Sequence, residues 1–174
     1  MSLSNNLLEG KWSRGTTWRV SRGTHIVGES LVTATKVLCI KGGLLAMTKN
    51  QRGWELPGGH IEKNEGLEEG TRMEMREETG ITMGGLEVLG VMEITNTRDK
   101  VNKATGKNYP NPSYMLFYLG EHESQSRVLD DNETLDTAWF TVRDVEREVI
   151  TEKDIISFFL EKDLEEGFQV KSTA

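Results

Sequence analysis

From Thr33 onward the chain alternates short apolar runs with polar or glycine-bearing breaks. Thr35–Ile40 and Leu44–Thr48 are apolar runs joined by Lys41-Gly42-Gly43, a layout that predicts a β-hairpin. Trp54-Glu55-Leu56-Pro57-Gly58-Gly59 predicts a short extended piece stopped by proline and glycine. Leu86–Ile94, Tyr114–Gly120 and Thr137-Ala138-Trp139-Phe140 predict further strands. Two stretches change to a helical period. The first begins near Gly66, puts Leu67, Thr71 and Met75 on a stripe that faces the core, and stops at Gly80, a C-terminal glycine of positive φ. The second opens on Thr151-Glu152-Lys153-Asp154, a capping-box pattern. It continues through Ile155, Ile156, Phe158, Phe159, Leu160 and Leu164 to Gly167. Strands and helices are mixed without the βαβ rhythm of a doubly wound sheet, which places the chain in the α/β class with another layout.

Two polar stretches modify this picture. Residues 95–113 carry Arg98, Lys100, Lys103, Lys107, Pro110 and Pro112, and are too long for a simple hairpin turn. A phosphate-binding loop and a merely solvated one both fit. Residues 11–27 hold Lys11, Arg14, Arg19 and Arg22 with no acid, together with Trp12 and Trp18. Such an arm can stack a base or touch phosphate, but packing on the domain or on a second subunit is the commoner use of its tryptophans. The chain therefore divides into an arm, residues 1–32, and one domain, residues 33–170, within a length of 174 that suits a single core.

Charge and cysteine narrow the function classes. With 21 Lys+Arg against 28 Asp+Glu, the net charge of −7 argues against stable nucleic-acid binding through a broad basic footprint. An enzyme for small anions fits if a bound cation supplies positive charge locally. The single cysteine, Cys39, lies in the run Val37-Leu38-Cys39-Ile40; it forms no internal disulfide, reads as core and suits a reducing compartment. No apolar stretch approaches the ~20 residues of a membrane span, and the N-terminus lacks a signal-peptide layout, so a cytoplasmic location without membrane association is expected.

The chemistry concentrates in the first helix. Glu74, Glu77 and Glu78 are related by i, i+3 and i+4 and emerge on one face. Two ionised carboxylates ~6 Å apart repel by about 3 kcal/mol at an effective dielectric constant of ~20, so three together invite a cation. Hard oxygens without His or Cys favour Mg2+, with Mn2+ as a substitute, over Zn2+. Such a site assists attack of water on phosphorus. The plainer reading is a solvated helix in which Arg72 and Arg76 pair with Glu68, Glu69 or later acids. It gives no reason for Pro57-Gly58-Gly59 and Glu65 upstream, or Gly80-Ile81 downstream, at their spacing.

Gly59, Glu65, Glu74, Met75, Glu77, Glu78, Gly80 and Ile81 together resemble the Nudix box, G-x5-E-x7-R-E-U-x-E-E-x-G-U with U a bulky apolar residue. Met73 stands where the family has arginine. The resemblance implies a Nudix-like α/β/α sandwich around a mixed β-sheet, with Glu74, Glu77, Glu78 and the carbonyl of Gly58 as metal ligands. It makes Glu74 and Glu77 catalytic and Glu65 a support for helix or metal. Glu121, ending the strand Tyr114–Gly120, is a candidate further ligand or general base, with Glu133 as its competitor. Arg76, one turn along from Met73, is the expected stand-in for the missing arginine, whereas Arg72 is displaced by about 100° around the helix. Arg52, His60, Lys100 and Lys103 are the candidate substrate contacts. The implied reaction is Mg2+-dependent hydrolysis of a phosphoanhydride in a nucleoside diphosphate linked to another moiety, on a small phosphorylated nucleotide-type substrate. The alternative is a catalytically silent nucleotide-binding or regulatory module. A diphosphate isomerase in this fold uses a catalytic cysteine, which Cys39 in its apolar strand does not resemble. Relatives also suggest a homodimer built on the N-terminal arm.

Overall fold

The computed structural model describes residues 7–23, 27–62, 65–101, 106–126 and 134–171. Their strands are β1 (Leu7–Lys11), β2 (Thr17–Arg22), β3 (Val32–Lys41), β4 (Leu44–Asn50), β5 (Gly53–Glu55), β6 (Ile81–Thr95), β7 (Ser113–Gln125), β8 (Asp136–Phe140), β9 (Leu160–Asp163) and β10 (Gly167–Val170). The α-helices are α1 (Leu67–Thr79), α2 (Val142–Arg147) and α3 (Lys153–Phe159). The main sheet runs β1-β2-β6-β7-β3-β4-β5, with β8 also on β4. It is mixed: β3 and β7 are parallel, and their neighbours pair antiparallel.

The apolar run of β3 is unbroken because both of its faces are covered. Val37 and Cys39 pack with Met75 of α1, Ile81, Met83 and Tyr118. Leu38, on the opposite face, joins Leu45, Phe117, Ile156, Phe158 and Phe159, so α3 closes the second layer. The result is the expected α/β/α sandwich. Among the described residues no helix is long and apolar enough to cross a membrane.

Three elements depart from the sequence expectation. No strand was expected at the basic arm, yet β1 and β2 form a hairpin that extends the sheet through β6. The alternation Trp18 in, Arg19 out, Val20 in is a strand signal hidden by the basic residues. Trp18 is buried, so it is not available to stack a base, while Trp12 remains exposed. Arg19 pairs with Glu93 across the strands at 2.8 Å, and Arg22 donates to the Phe158 carbonyl and lies 4.9 Å over the Phe158 ring.

The last helix ends at Phe159 rather than Gly167; the chain turns into the β9–β10 hairpin, and Gly167 opens β10 with φ 84°. The predicted capping box at Thr151 does not form: Glu152 is the N-cap and makes no cap hydrogen bond. The box is at Thr141 and Asp144, opening α2. Finally, β7 continues to Gln125, so Glu121 lies inside a strand and not at its end.

Candidate active site

The site begins where two strands part. β3 and β4 pair only at Ile40–Leu45 and Lys41–Leu44, which leaves the earlier edge of β3 open. The Pro57-Gly58-Gly59 loop fills that edge: Val37 N–H donates to Pro57 O at 2.9 Å, Thr35 N–H to Gly59 O at 3.0 Å, and Ile61 N–H to Thr33 O at 3.1 Å. The loop comes so close that a Cβ on Gly58, whose φ is +132°, would sit 2.3 Å from Thr35 O. Only glycine fits there. A Cβ on Gly59 would instead meet a Glu74 carboxylate oxygen at 2.6 Å, so its absence lets that acid reach the loop.

Helix α1 is seated on β3 by its neutral face. Met75 and Thr71 are buried, and Thr71 Oγ1 donates to Thr35 Oγ1 at 2.8 Å. Glu65 accepts from Glu62 N–H at 3.2 Å and packs on Gly70, where a Cβ would meet its carboxyl at 2.7 Å. Gly80, with φ 70°, ends the helix and donates to Arg76 O.

The three helix acids stand differently. Gly58 N–H donates to Glu78 Oε2 at 2.8 Å. Burial pushes the Glu78 carboxyl up to about 7, against the Gly58 hydrogen bond and the charge of Lys36, and neighbouring Glu74 pushes the same way as burial. Glu74 is half-buried against Gly59, and Glu77 is exposed. Among the described residues, no three acidic, histidine or cysteine side chains converge into a preformed cage.

The donor set nonetheless fits a hard divalent cation. Mg2+ retains waters and is held by one or two carboxylates together with substrate phosphates. Two carboxylates meet one loop here. While the carbonyls of Pro57 and Gly59 are engaged by β3, no hydrogen bond among the described residues engages that of Gly58.

Beneath the loop lies a charged cluster that the motif did not reveal. Lys36 Nζ donates to Leu56 O at 2.8 Å, and lies 3.3 Å from Glu55 and 3.7 Å from Glu152. Glu152 Oε2 accepts from Leu56 N–H at 2.9 Å. Burial opposes the charge on Lys36, but Glu152 and Glu55 outweigh it and hold its pKa above the usual lysine value. The one sequence signal was a lysine inside the apolar run Thr35–Ile40. Its partners cannot be read from sequence, since Glu152 lies far along the chain at the start of α3.

The remaining candidates separate. Glu121 pairs with Ile40, four residues along β3 from Lys36, over which Gly58 sits. It alternates with Gly120, whose Cβ would meet Met83 and Val37 on the α1 side, so the exposed Glu121 side chain stands on the opposite face of the sheet from the helix acids. Arg76 is exposed and makes none of the ion pairs found among the described residues, so the cation beside Glu78 is Lys36 and not the expected Arg76. Arg72 lies 3.9 Å from Glu68, and Met73 is exposed. Arg52 pairs with Glu55 at 3.2 Å, which ties it to the cluster beneath the loop. His60 follows Gly59 directly, with its ring 6.1 Å from Tyr109. Lys100 is exposed, and its carbonyl accepts from Tyr109 N–H. Tyr109 and the Lys100 backbone it bonds are therefore beside the site. Lys103 and Glu133 lie outside the described residues.

A family model described as NUDIX domain matches residues 30–159. Over 59 residues the chain is 39% identical to YtkD of Bacillus subtilis (strain 168), a protein provisionally named an 8-oxo-dGTP diphosphatase. That match covers 33% of this chain and 37% of YtkD, so it spans little more than a third of the relative. The fold is similar to the crystal structure of the Bacillus subtilis pyrophosphohydrolase BsRppH, with TM-score 0.61 and 25% identity over 76% of this chain and 77% of that one. It is also similar in fold to a MutT NUDIX hydrolase from Burkholderia pseudomallei, with TM-score 0.51 and 21% identity over 72% of this chain and 93% of that one.

Proposed function

The chain belongs to the Nudix hydrolase family, and from that premise we propose that it is a Mg2+-dependent pyrophosphohydrolase. Its substrate class is a nucleoside diphosphate linked to another moiety, nucleoside triphosphates included, with water cleaving the phosphoanhydride. The observation that carries this reading is the meeting of Glu74 and Glu78 at the Gly58-Gly59 loop, with Glu78 desolvated beside a second carboxylate. Glu74, Glu78, the neighbouring Glu77 and the Gly58 carbonyl would hold the ion. When bound, Mg2+ or Mn2+ supplies charge neutralisation at the phosphate oxygens, which raises the electrophilicity of phosphorus.

The chain's own residues supply the rest. Gly58 N–H fixes one Glu78 oxygen and so directs the other. Exposed Glu77 is the carboxylate open to accept a proton from the attacking water. His60 and Lys100, beside the loop, would meet substrate phosphates.

Hydrolysis is tested with a panel of nucleoside di- and triphosphates, 8-oxo-dGTP, nucleotide sugars and dinucleotides, each with Mg2+ or with EDTA. The expected result is release of phosphate or nucleotide that EDTA abolishes. A second reading, a silent nucleotide-binding or regulatory module, draws support from exposed Met73 at the arginine position of the box. It predicts nucleotide binding with no metal-dependent release across the panel. The homodimer proposal retains one surface, the outer edge of β1, which pairs with no other described strand; sedimentation equilibrium separates monomer from dimer.

A further inference from the structure

We infer that Lys36 and Glu152 act as a positioning pair that sets the Leu56-Pro57-Gly58 backbone, and through it the Glu78 carboxylate, for hydrolysis. The inference rests on the function proposed above and deepens it.

Both polar groups of Leu56 are taken by this pair of opposite charges. Lys36 Nζ donates to its carbonyl at 2.8 Å, and Glu152 accepts from its N–H at 2.9 Å. Two residues on, Gly58 N–H holds Glu78 at 2.8 Å. A rotation of the Leu56 peptide is thereby transmitted to the direction of a candidate metal ligand. The two side chains come from distant parts of the chain, the middle of β3 and the start of α3, and Glu152 lies outside the Nudix box.

The cluster is an inefficient way to stabilise a fold. Lys36, Glu55 and Glu152 have side chains only 10%, 10% and 12% exposed, and their desolvation offsets much of their attraction. What such a pair does better than apolar packing is fix the orientation of a peptide. Glu152 serves this end at the expense of its own helix, whose first turn it leaves without a side-chain cap. Of the cations on α1, Arg72 is engaged by Glu68 and the Met83 carbonyl and Arg76 is exposed, so neither does this work instead.

The test uses the full chain as parent, Lys36→Met, Glu152→Leu and the double variant Lys36→Met/Glu152→Leu. The double variant removes one charge of each sign and leaves Glu55 paired with Arg52 at 3.2 Å, so it guards against simple misfolding of the singles. Three readouts are taken: amide hydrogen exchange at Leu56 and Gly58 without metal, Mn2+ affinity by electron paramagnetic resonance, and kcat and KM on the best substrate of the panel. In the double variant, exchange at Leu56 and Gly58 rises at least tenfold while Leu116 and Phe117 in β7 stay protected. Mn2+ binds at least fivefold more weakly, and kcat falls at least tenfold with KM within threefold. The melting temperature recovers from that of the singles while kcat does not.

Recovery of kcat together with melting temperature, or unchanged exchange at Gly58, overturns the inference and leaves a purely structural pair. A parent that hydrolyses nothing sinks the proposed function instead; the exchange and Mn2+ readouts then decide the positioning role on their own.

Discussion

Glu78 shows how one residue can be poor for stability and useful for chemistry. Its folded pKa is raised, to about 7 from an ordinary 4.5, chiefly because burial disfavours its charge. A raised carboxyl pKa means that the folded state binds the proton more tightly than the unfolded state does. The associated stability is complete below about 4.5 and is lost as pH rises through about 7. In EDTA, Glu78→Gln should therefore match the parent in urea denaturation near pH 4.5 and exceed it by up to about 3 kcal/mol above pH 7. Equal stability at both pH values would mean that the desolvated charge is relieved some other way. The motif marks Glu78 as an acid among acids. That it is the half-buried acid held by Gly58 follows from contact with a loop twenty residues upstream.

At the scale of elements, the N-termini of the two short C-terminal helices provide a paired comparison. Both begin with a threonine followed three residues later by an acid, Thr141 with Asp144 and Thr151 with Asp154. Only the first closes a capping box, with Asp144 N–H donating to Thr141 Oγ1 at 3.2 Å and Thr141 N–H to Asp144 Oδ2 at 2.8 Å. Thr141→Ala should therefore lower unfolding free energy by about 1 kcal/mol, and Thr151→Ala by no more than a few tenths. Chemical denaturation of the two variants checks this, and equal losses would contradict the caps described. Pattern alone could not rank the sites, because the backbone at Glu152 is set by that residue's reach to Leu56 and Lys36. The helix stops at Phe159, where Leu160 turns to extended backbone. The apolar residue that follows, Leu160, is buried within a strand and not on a longer helix.

In the whole molecule, Tyr109 lies against His60 beside the box, and the two ends of the 95–113 stretch are tied by Asn96 and Asn111, which exchange hydrogen bonds at 3.0 and 2.9 Å. If its cations meet phosphate there, Lys100→Gln with Lys103→Gln should raise KM several-fold and leave kcat nearly unchanged. Unaltered steady-state kinetics would return the loop to solvent. The sequence by itself determined the parts whose cause is local. The β3–β4 hairpin follows from Gly42-Gly43 between apolar runs, α1 from its period and its glycine stop, and the candidate metal face from Glu74, Glu77 and Glu78 at helical spacing. Glycines 58 and 59 were readable as a turn, and the box as a family signature. Only the tertiary structure decided which acids meet the loop, that Glu121 stands away from them, that the basic arm is sheet, and that Lys36 rather than Arg76 is the cation beside Glu78. Each of these depends on strand order, or on contacts between residues far apart in the chain. Periodicity records which face of an element is buried, but not what the fold places against it.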